Sequence, residues 1–183
     1  MNTTYIVIAL VLVLVVIAGA VLMPKFAQRQ RSARLHDQFG AEYDRTVQVL
    51  GDEKKAQAEL IERQKHVKAL DIKPLSASEA ERYVAEWSEV QSKFVDEPGQ
   101  AIVDADRLIM EVMSLRSYPV SDFEQRAADI SVTHPNFVSN YRAAREIAVK
   151  NETFEANTEE LRQALIHYRS LFEELLEIEP VAV

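Results

Sequence analysis

The chain contains no cysteine, which excludes disulfides, thiol catalysis and thiolate metal sites. Glycine is nearly as scarce, with four in 183 residues, one of them inside a long apolar run. No glycine-rich phosphate loop and no Gly-x-Ser-x-Gly nucleophile elbow can be read from it. Alternating β-branched runs are missing as well, and both shortages favour helices over a sheet. No His-Glu-x-x-His zinc pattern occurs. A di-iron bundle needs Glu-x-x-His on facing helices, but Arg63 stands three before His66 and Ala164 three before His167. The sequence therefore assigns no catalytic residue, no metal and no cofactor, and the expectation is a protein that is not an enzyme.

Basic residues are in deficit. The 21 Lys and Arg face 29 Asp and Glu, a formal charge of −8. Four of those cations, Lys25, Arg29, Arg31 and Arg34, sit together, and removing them from the 21 leaves 17 against 29, or −12, for residues 35–183. Phosphate contacts need a cationic face, so nucleic-acid binding is excluded for that part. The same acidity argues against its lying flat on an anionic membrane.

What the chain does have is an unbroken apolar run from Tyr5 to Met23, nineteen residues with no charged side chain. At 1.5 Å per residue such a helix spans roughly 28 Å, about the hydrocarbon core of a bilayer. The four cations follow the run, and cationic flanks stay cytoplasmic. The expected topology is an N-terminus outside and a cytoplasmic C-terminal domain, the alternative being a domain on the outer side of the membrane. The collar would meet anionic headgroups at about 1 kcal/mol per cation. A cleaved signal peptide is the rival reading, with Ala18-Gly19-Ala20 as the cleavage site. Against it, the n-region lacks Lys and Arg, and the apolar run is long and continues past Ala20.

The six prolines, at 24, 74, 98, 119, 135 and 180, fall between periodic segments, where a residue without an amide donor is tolerated. Helical faces follow from the spacing: Phe39, Tyr43, Val47 and Leu50; Leu60, Val67 and Leu70; Tyr83, Trp87, Val90 and Phe94; Ile102, Ala105, Ile109, Val112 and Met113. Phe123, Ala127 and Ile130 mark a short helix, Phe137, Tyr141, Ala144 and Ala148 the next, and Leu161, Leu165, Tyr168, Phe172 and Leu175 the last. Ser76 with Glu79 and Ser121 with Glu124 have capping-box spacing, His134-Pro135 opens a helix, and Asn157 with Glu160, or Thr158, caps the last one. Whether Gly51 breaks the long stretch is left open by its modest helix cost.

The predicted fold is all-α: a single N-terminal transmembrane helix, then a bundle of about six or seven helices, with a helical stalk as an option. Its parts are an anchor at 1–23, a basic juxtamembrane segment at 24–38, a helical stalk or hairpin at 39–73 and a helical bundle at 74–183. The densest polar stretch, Ser121 to Arg145, supports two readings. In the plainer one, Asp122–Arg126 and Arg126–Asp129 are helix-surface ion pairs and His134 a cap. In the sharper one, Arg126, Arg142 and Arg145 converge on a small anion, with His134 as a titratable partner. Trp87 and Tyr83 read as core. Leu175, Leu176 and Ile178, among carboxylates at a helix C-terminus, are candidates for docking on a cationic partner.

The blocks Phe39-Gly40-Ala41-Glu42-Tyr43-Asp44, Phe94-Val95-Asp96-Glu97-Pro98 and Asp122-Phe123-Glu124-Gln125-Arg126-Ala127-Ala128-Asp129 carry a resemblance, joined by His134-Pro135, Tyr141-Arg142-Ala143-Ala144 and His167-Tyr168-Arg169. Together they resemble a group of bacterial, often membrane-associated proteins usually left as hypothetical. The resemblance implies a bacterial membrane protein and carries over no functional residue. The expected function is a membrane-anchored helical module that binds a protein partner, with a membrane-tethered sensor of a small anion as the alternative.

Overall fold

The computed structural model of the chain describes residues 29–176. The chain divides into two units, Met1–Gln38 and Phe39–Val183. The apolar run at 5–23, the cation Lys25 and the docking candidate Ile178 lie outside the described residues. Among the described residues no helix is long and apolar enough to cross a membrane. Residues 29–39 form helix α1, with Arg29, Arg31 and Arg34 exposed on it.

Among the described residues the second unit holds seven helices, and no strand forms. Helix α2 (Ala41–Leu50) ends at Gly51, whose left-handed backbone (φ +65°) returns its N–H to the Val47 carbonyl. Glycine suits this site because a Cβ there would be strained. Asp52 then caps α3 (Glu53–Ala69) by accepting the Lys55 N–H at 2.8 Å. Two residues thus reverse the chain, Gly51 does break the helix, and the 39–73 stretch forms a hairpin. The hairpin shares one unit with the rest of the bundle.

Helix α4 (Ala77–Lys93) starts on the Ser76–Glu79 capping box, and α5 (Pro98–Leu115) has proline in its first turn. Helix α6 (Phe123–Thr133) is capped by Asp122, not by Ser121: the Asp122 carboxylate takes the Gln125 N–H at 2.9 Å. A carboxylate is a capping acceptor as good as a hydroxyl, and here it stands one residue nearer the helix. His134 closes α6 with its N–H on the Ile130 carbonyl (2.7 Å), so α7 (Val138–Glu152) opens three residues after Pro135. Helix α8 (Thr158–Leu175) begins with a capping box in which Asn157 accepts from Glu159 and Glu160 while Glu160 accepts from Asn157.

Helix α5 is packed on by α4, α8 and α7, and α7 and α8 lie along each other. Their shared faces form the core, including Ile102, Ile109, Met113, Tyr141 and Phe172. Trp87 and Tyr83 are buried, and the Trp87 ring stacks on Phe172 at 4.6 Å. The hairpin covers one side of this core, α3 against α6 and α2 against α7.

Two helices end in the same backbone turn without its usual glycine. After α5, Ser117 is left-handed (φ +71°), its N–H bonds the Ser114 carbonyl, and the Tyr118 N–H bonds Met113. After α7, Phe154 takes that position (φ +58°), with its own N–H on Asn151 and the Glu155 N–H on Lys150. Both are Schellman closures, and an L side chain at the left-handed position costs about 1 kcal/mol relative to glycine.

Leu175 is fully buried in the core and Leu176 packs against it, so neither forms a docking patch. The sequence points to docking on a cationic partner because carboxylates crowd this helix end. Instead Arg116, itself buried, donates Nη1 to the Leu175 carbonyl and Nε to the Lys73 carbonyl, both at 3.0 Å. A guanidinium there offsets the negative end of α8.

Candidate functional site

Three helices frame an open cleft of about 620 Å³: Arg45 comes from α2, Phe123 and Glu124 from α6, and Arg142, Arg145 and Glu146 from α7. The Asp122 cap fixes the first turn of α6, so Phe123 faces inward and Glu124 outward. On α7, Arg142 and Arg145 stand three apart and share a face.

Beneath the cleft lies Glu42, only 3 % exposed, which is rare for a carboxylate without partners. Its Oε1 accepts Arg63 Nη1 at 3.0 Å and Arg142 Nη2 at 3.1 Å, with Arg45 Nη1 at 3.6 Å. One acid thereby ties α2, α3 and α7 together. Arg142 is clamped from both sides, since its Nη1 also meets Glu124 Oε2 at 2.7 Å. Its Nε is buried and has no hydrogen-bond partner among the described residues. Glu124 itself is 68 % exposed, so its pair with Arg142 stands in solvent on the acid's side. Arg145 lies 3.4 Å from Glu152 and 3.7 Å from Asp106.

The Phe123 ring is the common neighbour of the three arginines singled out from sequence. The guanidinium carbons of Arg126, Arg142 and Arg145 lie 5.9, 5.9 and 6.0 Å from its centroid, within cation–π range. Arg142 and Arg145 line the cleft. Arg126 is buried behind the ring, donating Nε to the Tyr141 hydroxyl at 3.0 Å and Nη1 to the Val120 carbonyl at 3.3 Å. It forms no ion pair with Asp122 or Asp129, because its side chain turns inward. Burial pushes the Tyr141 phenol above its ordinary value, against the pull of the Arg126 hydrogen bond. Tyr168 is raised further by burial and by Asp106, to whose carboxylate it donates at 3.1 Å.

His134 does not join this group. It is buried at the end of α6, with Nδ1 3.1 Å from Glu174 on α8 and Nε2 without a partner among the described residues. Closing α6 commits its backbone, and the ring follows toward α8. Asp129, fully buried, accepts Gln125 Nε2 at 2.8 Å and faces His66 Nε2 at 3.6 Å, while its second oxygen has no partner among the described residues. Burial raises its pKa, opposed by the Gln125 hydrogen bond. Among the described residues no group of three or more His, Asp and Glu is placed to hold a metal ion.

Sequence reasoning missed Glu42 and Arg45. A signal for Glu42 existed: at helical spacing it falls between Phe39, Tyr43 and Thr46 on the apolar face of its helix, where a lone acid implies a buried cationic partner. Nothing in the spacing pointed to Arg63, which comes from another helix. Comparison with known proteins finds no matching family, no similar curated protein and no similar solved structure.

Proposed function

We propose that this chain is a membrane-tethered bacterial sensor module whose helical unit takes a small anionic ligand in the cleft between α2, α6 and α7. The observation that carries the reading is the Arg142 guanidinium, held by buried Glu42 and capped by exposed Glu124 at 2.7 Å. Glu124 occupies the position a ligand carboxylate or phosphate would take, and its exposure makes it displaceable. Arg45 and Arg145 stand beside it to share the charge, and Phe123 offers an apolar wall. The cleft volume suits a small metabolite and not a polymer. The anchor at 5–23 and the collar at Lys25, Arg29, Arg31 and Arg34 belong to the same proposal, with the helical unit cytoplasmic. Reporter fusions after Arg34 and at the C-terminus test that placement.

Ligand binding is tested by thermal shift against a panel of carboxylates and phosphates. Arg142→Ala is expected to abolish the shift. Glu124→Gln, which removes the competing carboxylate, is expected to enlarge it. An undiminished shift in Arg142→Ala defeats the proposal. A second reading, a protein-interaction module, is supported by apolar side chains left exposed at one end of the bundle.

A further inference from the structure

The α4–α5 and α7–α8 turns lie at the same end of the bundle. Asn151, in the last turn of α7, donates Nδ2 to the Gly99 carbonyl in the first turn of α5 at 2.9 Å. The approach is close: a Cβ on Gly99 would stand 2.7 Å from Asn151 Oδ1. Each of the two turns thrusts an apolar side chain into solvent, Val95 at 81 % exposure and Phe154 at 95 %.

Isolated exposed hydrophobics are ordinary, so Phe154 needs a second argument. The backbone supplies it. The same glycine-type closure occurs twice in this fold. After α5 the left-handed position holds a small polar residue, Ser117, and the next side chain, Tyr118, is tucked into the core. After α7 the left-handed position holds a phenylalanine, and the next residue is exposed Glu155. Phe154 therefore combines a backbone strained for any L residue with a ring that touches almost nothing in its own chain. Strain maintained without an internal contact to offset it points to an external one.

Charge identifies what covers it. Asp96, Glu97 and Glu155 flank the two apolar tips, all three exposed and none in an ion pair among the described residues. The nearby cations are engaged elsewhere, Lys93 with Asp104 at 2.8 Å and Lys150 with Glu160 at 3.4 Å. A second copy of this end would set like charges face to face, and an anionic lipid surface would repel it. We infer that this end of the bundle is a docking surface for a protein partner that presents an apolar socket rimmed by Lys or Arg, with Phe154 as the inserted anchor. An exposed aromatic at the centre of an acidic rim has the anatomy of an interface hot spot, and the rim steers association.

The test uses the full chain in its membrane, with photoreactive benzoylphenylalanine placed at Phe154 and, as reference, at Ile166 on the exposed side of α8. A discrete protein adduct is expected from position 154 and none from 166. The captured protein, purified, should bind the parent chain in a salt-sensitive manner. Phe154→Gly should weaken that binding at least tenfold while raising the Tm of the free chain, since glycine suits the turn. Glu97→Lys with Glu155→Lys should weaken it and flatten its salt dependence. No adduct at 154, an adduct only to lipid or to a second copy, or binding unchanged by Phe154→Gly overturns the inference. So does a lowered Tm in Phe154→Gly, which would give the ring an internal role. None of these readouts involves the α2–α6–α7 cleft, so the two proposals fail separately.

Discussion

Replacing Glu42 by glutamine tests the centre of the electrostatic scheme. The carboxylate is 2 % exposed at its side chain and faces Arg63 and Arg142, themselves only 14 % and 13 % exposed. Breaking a buried ion pair from one side costs about 3–5 kcal/mol, because the remaining charge stays desolvated. Two features reduce that here. Arg63 keeps Glu59 at 3.1 Å and Arg142 keeps Glu124 at 2.7 Å. Glutamine also preserves shape and can keep its amide oxygen at the Oε1 position that both guanidinium groups meet, so what is lost is the negative charge between them. The expected loss is about 2 kcal/mol, a Tm lowered by about 6 °C for a domain of this size. Urea unfolding followed by circular dichroism should show a lower midpoint with an unchanged slope. Adding Arg63→Met to Glu42→Gln removes one stranded cation, so the double variant should be more stable than additivity predicts. A loss below about 0.5 kcal/mol, the size of an ordinary surface change, would refute the argument that Glu42 joins three helices.

Two further outcomes follow from individual side chains. Burial raises the Asp129 pKa, so its carboxyl favours the fold fully below the ordinary value of 3.8, and that contribution is lost as pH rises through the raised folded value. Asp129→Asn should therefore be more stable than the parent at neutral pH, with the gap closing in acid; urea midpoints measured across pH check this, and a gap that widens in acid contradicts it. Asn157→Ala removes the acceptor for two free amides of α8 and should cost about 1 kcal/mol, with faster hydrogen exchange in the first turn of that helix; unchanged exchange there would count against the cap.

The helices were legible because each buries one stripe of regularly spaced apolar residues, as Tyr83, Trp87 and Val90 do on α4. Capping boxes at Ser76 and Asn157 are local patterns and could be read directly. At α6 the rule pointed one residue too far back, to Ser121, because two acceptors stand side by side. The cleft was harder to see. Arg142 and Arg145 share a helix face and were singled out, while Arg126 is indistinguishable from them in sequence and yet turns inward to Tyr141. Side-chain direction there depends on how α6 meets α7, which spacing within one helix does not encode. The tail misled for a similar reason. The carboxylates after Leu171 point in sequence to docking on a cationic partner, but Arg116, from the end of α5, holds the Leu175 carbonyl.

Glu42 and Arg142 are 100 positions apart, and that distance has a meaning during synthesis. The α2–α3 hairpin leaves the ribosome early and can close on its own turn at Gly51. Its docking site on α6 and α7 is translated later. At about 5–20 residues per second, the stretch from Ala69 to Val138 takes roughly 4–14 seconds. During that interval Leu60 and Val67 have no later helix to cover them, and Glu42 has Arg63 and Arg45 of its own hairpin but not yet Arg142. A ribosomal pause between those points would prolong the wait, and a faster passage would shorten it, so the translation rate of this segment governs how long the nascent hairpin remains open to aggregation or to a chaperone.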